Sequence, residues 1–305
     1  SPPAIRIWRF GGITYTRLGA TVDDSVTWAT GIAVLAWRML GSMLSVLGRG
    51  SLLPKDLAYE DSNITTELVR KNAPRQDFYI RFTLYKAGTS IGPYLDKVKT
   101  DFCLWTHPLG DYVNTKDGLN VTVSSWRRVD DNAIPPCAKA GGAYMNTAIM
   151  ITDAKRKGYD EVISLTHDGN VSEGSAMNIF LVRKGKLITP PTTENILEGV
   201  TRDTIIELAA SELGLVVEER IVDRTELYRC DEAFFTGTAA QVAPITQIDG
   251  RAVGDGKIGA LTRTIQNLYF DVVRNKNAAY SHWCTLVDIS GADAPALPAS
   301  PGTDG

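Results

Sequence analysis

Any chemistry in this chain has to be built around Lys139. It stands just before Gly141 and Gly142, five residues before Tyr144 and 34 before Glu173, an acid at the end of strand-like text. A lysine amine attacks a carbonyl only once it has lost its proton, and burial or a neighbouring cation lowers its pKa. The glycines carry no side chain and let other groups come close. Taken singly, such a lysine is a surface residue ahead of a helix. With the tyrosine and the acid at these offsets, the group could hold a carbonyl cofactor.

Two further stretches suit an anionic ligand. Leu197-Glu198-Gly199-Val200-Thr201-Arg202-Asp203 opens a helix on a glycine, so free backbone N–H groups and the positive dipole end form an anion cup, with ordinary capping by Thr201 compatible with that role. Thr236-Gly237-Thr238-Ala239-Ala240-Gln241 is a loop of small residues, which backbone needs if it is to approach a ligand closely. Arg38 and Ser42 share one face of an apolar helix, and a snorkelling arginine is the ordinary reading there. In Phe78 to Tyr85, period two sends Phe78, Ile80, Phe82 and Leu84 to one face and Tyr79, Arg81, Thr83 and Tyr85 to the other. The second face mixes aromatic, hydroxyl and guanidinium groups, as a pocket for a carboxylate would.

The elements that must position these residues alternate between strand and helix. Ala4 to Phe10 and Ile13 to Thr16 read as strands across Gly11-Gly12, Gly31 to Leu47 as an amphipathic or buried helix, and Asn63 to Lys71 as a further helix. Asp101 to Asn114 is a loop-like mix holding Trp105 and His107. Leu119 to Trp126 is a strand, and Asp130 to Pro136 a polar loop leading to Lys139. Met145, Ala148, Ile149 and Thr152 follow helical spacing up to Gly158. Glu161 to Thr166 and Val171 to Glu173 form a hairpin across Asp168-Gly169, with His167 exposed at its turn, and Asn178 to Val182 pairs with Lys186 to Thr189 across Lys184-Gly185. Glu232 to Phe235 is a strand. Ile258, Leu261, Ile265, Leu268 and Val272 mark a last amphipathic helix, and the Ala-, Pro- and Gly-rich stretch from Val287 is expected to be a disordered tail.

Composition narrows the classes. At 305 residues, with 44% hydrophobic and 22% charged residues, the chain has the makeup of a soluble two-domain enzyme. A net charge of −3 suggests neither nucleic acid nor a membrane surface as partner. No apolar run reaches membrane-span length, and Ser1-Pro2-Pro3 does not open a signal peptide. Cys103, Cys137, Cys230 and Cys284 and the three histidines His107, His167 and His282 lack metal-ligand spacing. No metal site or disulfide framework is therefore expected, and reduced thiols point to the cytoplasm.

Lys139-Ala140-Gly141-Gly142, Tyr79-Ile80-Arg81, Ser172-Glu173-Gly174 and Gly237-Thr238-Ala239-Ala240 together resemble the fold-type IV aminotransferases that use pyridoxal 5'-phosphate, most closely the branched-chain amino acid aminotransferases. The resemblance runs over residues 35 to 275. It implies an α/β (α+β) fold of two domains: a small N-terminal α/β domain (1–104), an interdomain loop (105–114) and a large cofactor-binding domain (115–286), followed by the tail (287–305). It implies that Lys139 holds the cofactor as an internal aldimine and moves the proton between the substrate and the cofactor. Tyr144 then bonds the phenolic oxygen, Glu173 pairs with the pyridine nitrogen, and Arg38, Val200, Thr201 and Thr238 anchor the phosphate. Tyr15, Tyr79, Arg81, Thr238 and Ala239 meet substrate, although the family's Phe-Glu-Gly-Ile-Arg-like run near Tyr15 is absent. The reaction implied is transfer of the amino group of leucine, isoleucine or valine to 2-oxoglutarate in ping-pong half-reactions, by a homodimer or larger assembly. Same-fold alternatives are transaminases of D-amino acids or (R)-amines and aminodeoxychorismate lyase. A non-catalytic cofactor-binding homologue is the alternative outside enzymes.

Overall fold

The computed structural model describes residues 4–10, 13–19, 29–32, 62–73, 78–89, 91, 92, 98, 100–109 and 113–288. The chain divides into two units, Ser1–Gly110 with Val273–Gly305, and Asp111–Val272.

In the first unit, β1 (Ala4–Phe10) pairs antiparallel with β2 (Ile13–Gly19), and β2 with β3 (Ala29–Ile32). The strand Cys284–Asp288 closes the other edge, setting Val287 opposite Ile5. The stretch expected as tail therefore begins as strand, because the edge of β1 offers it a ladder; residues 289–305 lie outside the described part. Gly31 and Ile32, expected in a helix, likewise belong to a strand, and the remainder of that expected helix, with Arg38 and Ser42, lies outside the described residues. α1 (Ser62–Asn72) ends on Arg70 and Lys71, cations suited to the negative end of a helix.

β4 (Phe78–Lys86) and β5 (Thr100–Pro108) pair along their whole length. The alternation expected for β4 is present: Phe78 and Ile80 are buried, whereas Arg81 and Tyr85 are exposed. The loop expected from Asp101 is instead strand as far as Pro108. Its polar residues and terminal proline hide the period, and cross-strand pairing with β4 supplies the order.

The second unit is built on one nine-stranded sheet. Its strands are β6 (Leu119–Arg127), β7 (Glu161–Leu165), β8 (Val171–Gly174), β9 (Asn178–Arg183), β10 (Lys186–Thr189), β11 (Val217–Glu219), β12 (Glu232–Gly237), β13 (Gln241–Ile248) and β14 (Arg251–Ala252). The order is β11-β10-β9-β12-β13-β6-β7-β8, with β14 paired to β13. Parallel pairs join β13 to β6, β6 to β7 and β10 to β11, and the remaining pairs are antiparallel. β7 is buried at every position, as is β9 up to Val182, which is why neither shows a regular alternation of apolar and polar residues. Ile179 and Phe235 enter the main core with Val121, Ile163 and Ala243, while Phe180 and Phe234 stack 5.1 Å apart. Burying each such phenyl ring contributes about 1.5–3 kcal/mol.

Three helices complete this unit: α2 (Tyr144–Arg156), α3 (Val200–Leu213) and α4 (Ala260–Val273). In α3 the expected inward residues Ile205, Leu208 and Ala209 are buried, and Gly214 ends the helix in the left-handed region. The buried face of α4 is turned from the expected one. Thr262, Gln266 and Tyr269 are buried beside Ile265 and Val272, whereas Leu261 and Leu268 are only half-buried. Gln266 explains the rotation, because its Nε2 donates to the carbonyls of Thr115 and Val242, both at 2.9 Å. At the start of α4, Glu232 accepts the N–H groups of Leu261 and Thr262 and caps the helix from a distant strand.

Candidate active site

β6 delivers the chain to Arg128, and a 3-10 turn, Pro136–Ala138, delivers it to Lys139. Lys139 takes left-handed backbone angles, φ 46° and ψ 39°, which a non-glycine residue adopts at a cost. Its Nζ lies 5.9 Å from the centre of the Tyr144 ring, on the first residue of α2. Added Cβ atoms at Gly141 and Gly142 would meet nothing closer than 3.9 Å, so these glycines leave open space beside the lysine.

Glu173, at the end of β8, is 3% exposed. Its Oε1 accepts Arg128 Nη2 at 2.7 Å, and its Oε2 accepts Asn178 Nδ2 and the Leu197 N–H, each at 3.0 Å. The Ser164 hydroxyl fixes the backbone by donating to the Glu173 carbonyl at 2.7 Å. Burial pushes the Glu173 carboxyl above the usual range, against the pull of Arg128, the Leu197 N–H, Lys139 and Arg202.

The loop that bonds Glu173 runs straight into α3. Asn178 Nδ2 also donates to the Leu197 carbonyl at 2.8 Å, and a Cβ added at Gly199 would overlap Asn178 Oδ1. Gly199 caps α3 without a side chain, so the N–H groups of the first turn face outward uncapped. α3 packs on β12, whose end at Gly237 leads into the turn Thr238, Ala239 and Ala240. The hydroxyls of Thr201, Thr236 and Thr238 are buried without a hydrogen-bond partner. Thr201 Oγ1 comes near enough to the Tyr269 phenol to pull it down, though burial pushes that phenol up, yet it makes no hydrogen bond of ordinary geometry. The unmet Thr201 hydroxyl and the uncapped N–H groups at the start of α3 make a cup for an anion, and Thr236 and Thr238 stand at the end of β12, which packs on α3.

The second unit thus sets Lys139 near Tyr144, ties Glu173 through Leu197 to the loop before Val200 and Thr201, and carries Thr238 and Ala239 in the turn after β12. In the first unit, half-buried Tyr79 and exposed Arg81 stand opposite His107 and Trp105 on the β4–β5 hairpin. Tyr15 lies on β2, its backbone opposite Trp8 and Ile32. Sequence reasoning missed Arg128, Asn178 and Thr236. A buried acid needs a partner, but nothing in the local text of Trp126-Arg127-Arg128 marks which arginine provides it. Among the described residues, no group of three His, Cys, Asp or Glu could hold a metal ion, and no helix is long and apolar enough to cross a membrane.

The class IV amino-transferase pattern matches residues 59–248. A probable branched-chain-amino-acid aminotransferase of Aquifex aeolicus is 45% identical over 230 residues, covering 75% of this chain and 74% of the relative. The branched-chain-amino-acid aminotransferase of Escherichia coli K12 is 37% identical over 227 residues, covering 73% and 72%. Among solved structures, the branched-chain aminotransferase of Thermoproteus uzoniensis with norvaline superposes with a TM-score of 0.77 at 34% identity, covering 93% of this chain and 89% of the other. That of Thermobaculum terrenum in its PLP form gives 0.77 at 35% identity, covering 93% and 88%. The chain belongs to the class IV aminotransferase family and has the fold-type IV architecture of these enzymes. Pyridoxal 5'-phosphate is the cofactor of that family. The residues present fit it: a lysine beside open space, a buried acid for a ring nitrogen, and an unmet hydroxyl with uncapped N–H groups at a helix start for a phosphate.

Proposed function

We propose that this chain transfers the amino group of branched-chain L-amino acids to a 2-oxo acid, with 2-oxoglutarate as acceptor and Lys139 as the reacting amine. The observation that carries the reading is one continuous bonded path: Glu173, Asn178 and Leu197 tie the acid end of the site to the uncapped start of α3. Lys139 would hold the cofactor covalently, Glu173 would face its ring nitrogen, and Tyr144 its phenolic oxygen. Val200, Thr201 and Thr238 would hold its phosphate, together with Arg38. When bound, the cofactor supplies an electron-withdrawing ring beside the bond to be broken.

This chain's residues do the rest. The Lys139 amine would take the proton from the substrate Cα and return it to the cofactor's C4′ carbon, acting as base and then acid. Glu173 stays an acceptor for the ring N–H throughout. The N–H groups at the start of α3 set a fixed positive field against the phosphate, without reorganising during the reaction. Tyr79 and Arg81, with Tyr15, Thr238 and Ala239, are the substrate-contacting set, and Arg81 suits the second carboxylate of the acceptor.

The chain would work as a homodimer. Met145 and Ile149, four apart on α2, are 69% and 38% exposed, and Trp126, near the end of β6, is 48% exposed, large apolar side chains that a second copy would cover. Sedimentation of the purified protein checks this. The free thiols of Cys103, Cys137 and Cys230 suit the cytoplasm.

The deciding experiment mixes the cofactor-loaded protein separately with L-leucine, D-alanine and (R)-1-phenylethylamine and follows cofactor absorbance. Bleaching by L-leucine, reversed by 2-oxoglutarate, is the expected result. Bleaching only by D-alanine or the amine replaces the substrate. Lys139→Ala is expected to lose activity on the order of 10⁴-fold; normal turnover in that variant would overturn the assignment of the lysine.

A further inference from the structure

Arg128 is a buried cation for which the transfer reaction gives no direct use. Its residue is 9% exposed, its Nη2 binds Glu173 Oε1, and its Nε donates to the Asn195 carbonyl at 3.3 Å. Asn195 is itself fixed in the left-handed region, where its Oδ1 accepts the Asp131 N–H at 3.2 Å. The guanidinium is therefore held from two sides before any ligand arrives.

A carboxylate offers about four acceptor directions, two on each oxygen. Asn178 and the Leu197 N–H use both on Oε2, while Arg128 uses one on Oε1. One direction remains, on Oε1. A donor arriving at Glu173 has a single place to bind, and Arg128 determines which.

We propose that Arg128 is a positioning residue, which keeps Glu173 an acceptor and, with Asn178 and Leu197, leaves one open direction on Oε1 for the cofactor's ring nitrogen. This rests on the reading of Glu173 given above. Without the guanidinium, Glu173 loses its nearest counter-charge while remaining buried, so it would take up a proton of its own. It would then offer the ring nitrogen a competing donor.

The test uses holoenzyme loaded either with pyridoxal phosphate or with its 1-deaza analogue, in which carbon replaces the ring nitrogen. Wild type, Arg128→Met, Arg128→Lys, Glu173→Gln and the double variant R128M/E173Q are compared. Two quantities are read: the rate of the L-leucine half-reaction, and the pH midpoint of the bound cofactor's absorbance. With pyridoxal phosphate, R128M is expected to slow the half-reaction by about 10- to 100-fold, the scale on which orienting groups act, with R128K in between, and to move the absorbance midpoint. With the deaza analogue, R128M and wild type should share rate and midpoint. The double variant should be no slower than E173Q, because Arg128 acts only through Glu173.

A normal rate and spectrum in E173Q would remove the reading of Glu173 itself. A slow E173Q alongside an unchanged R128M, or an R128M that slows both cofactors equally, would overturn the role of Arg128 alone. Should R128M fail to fold, R128K and the double variant decide, since neither leaves a buried charge unpaired. Equal rates for E173Q and the double variant support the proposal, and a further loss in the double variant overturns it.

Discussion

Glu226 and Glu173 are two acids of the same unit, each holding three hydrogen-bond donors, and their proton affinities move in opposite directions. Glu226 Oε1 accepts Arg183 Nη1 at 2.9 Å and Arg220 Nη2 at 2.6 Å, and its Oε2 accepts Arg220 Nη1 at 2.9 Å. These two guanidiniums pull it down to about 2. Glu173 has one guanidinium and two neutral donors, lies deeper, and is pushed up by burial. The donor count is equal. What differs is the charge carried by the donors and the water left around them. Glu226 is placed for stability, whereas Glu173 is held in a setting that costs stability until a further donor comes.

The largest test of this contrast is activity. Glu173→Gln is expected to slow transamination by roughly 10²-fold or more, the loss typical of one removed electrostatic partner, while Glu226→Gln leaves the leucine half-reaction unchanged within experimental scatter. Equal losses in both would erase the distinction. Next comes Gly199→Ala, which must push the Asn178 amide off its place against Glu173. Urea unfolding should show a loss of about 1–3 kcal/mol, as for other overpacked sites, together with a changed cofactor spectrum. A smaller effect is expected at the phosphate end. Thr201→Val and Thr238→Val should each weaken cofactor binding by about tenfold, the size of one hydrogen bond, measured by fluorescence titration, with the cofactor-free protein no less stable.

The pH limbs of stability give the smallest signal. Because the folded Glu226 carboxyl lies below its unfolded value of 4.5, its contribution is full above that value and disappears as pH falls through about 2. Glu173 runs the other way: its folded form holds the proton more tightly, so its contribution fades as pH rises above the usual carboxylate range. Thermal unfolding of the cofactor-free protein should lose the acid slope in Glu226→Gln and the upper slope in R128M/E173Q.

Much of the second unit could be read from text, because its elements are local and strongly periodic. The helix after Tyr144, the Asp-Gly hairpin before Glu173 and the uncapped start at Val200 each follow from residues within one or two turns of each other. What could not be read is long-range. Arg128 and Glu173 are 45 residues apart in the chain, and only the β6–β7–β8 pairing brings them together. The polar face of α4 escaped because apolar spacing favoured Leu261 and Leu268, while Gln266 is buried by two carbonyls that only the fold supplies. β5 escaped for the same reason, its order coming from a partner strand rather than from its own period.

The unmet Thr201 hydroxyl and uncapped N–H groups at the start of α3 also bear on how this protein is handled at the bench. Such a cup cannot distinguish an ester from the free ion, so inorganic phosphate or sulfate in a purification buffer would enter as a competitor. Cofactor loading is expected to be slower and less complete in phosphate than in an amine-free organic buffer. Loss of cofactor on dialysis against phosphate would then report on displacement rather than on a weak enzyme.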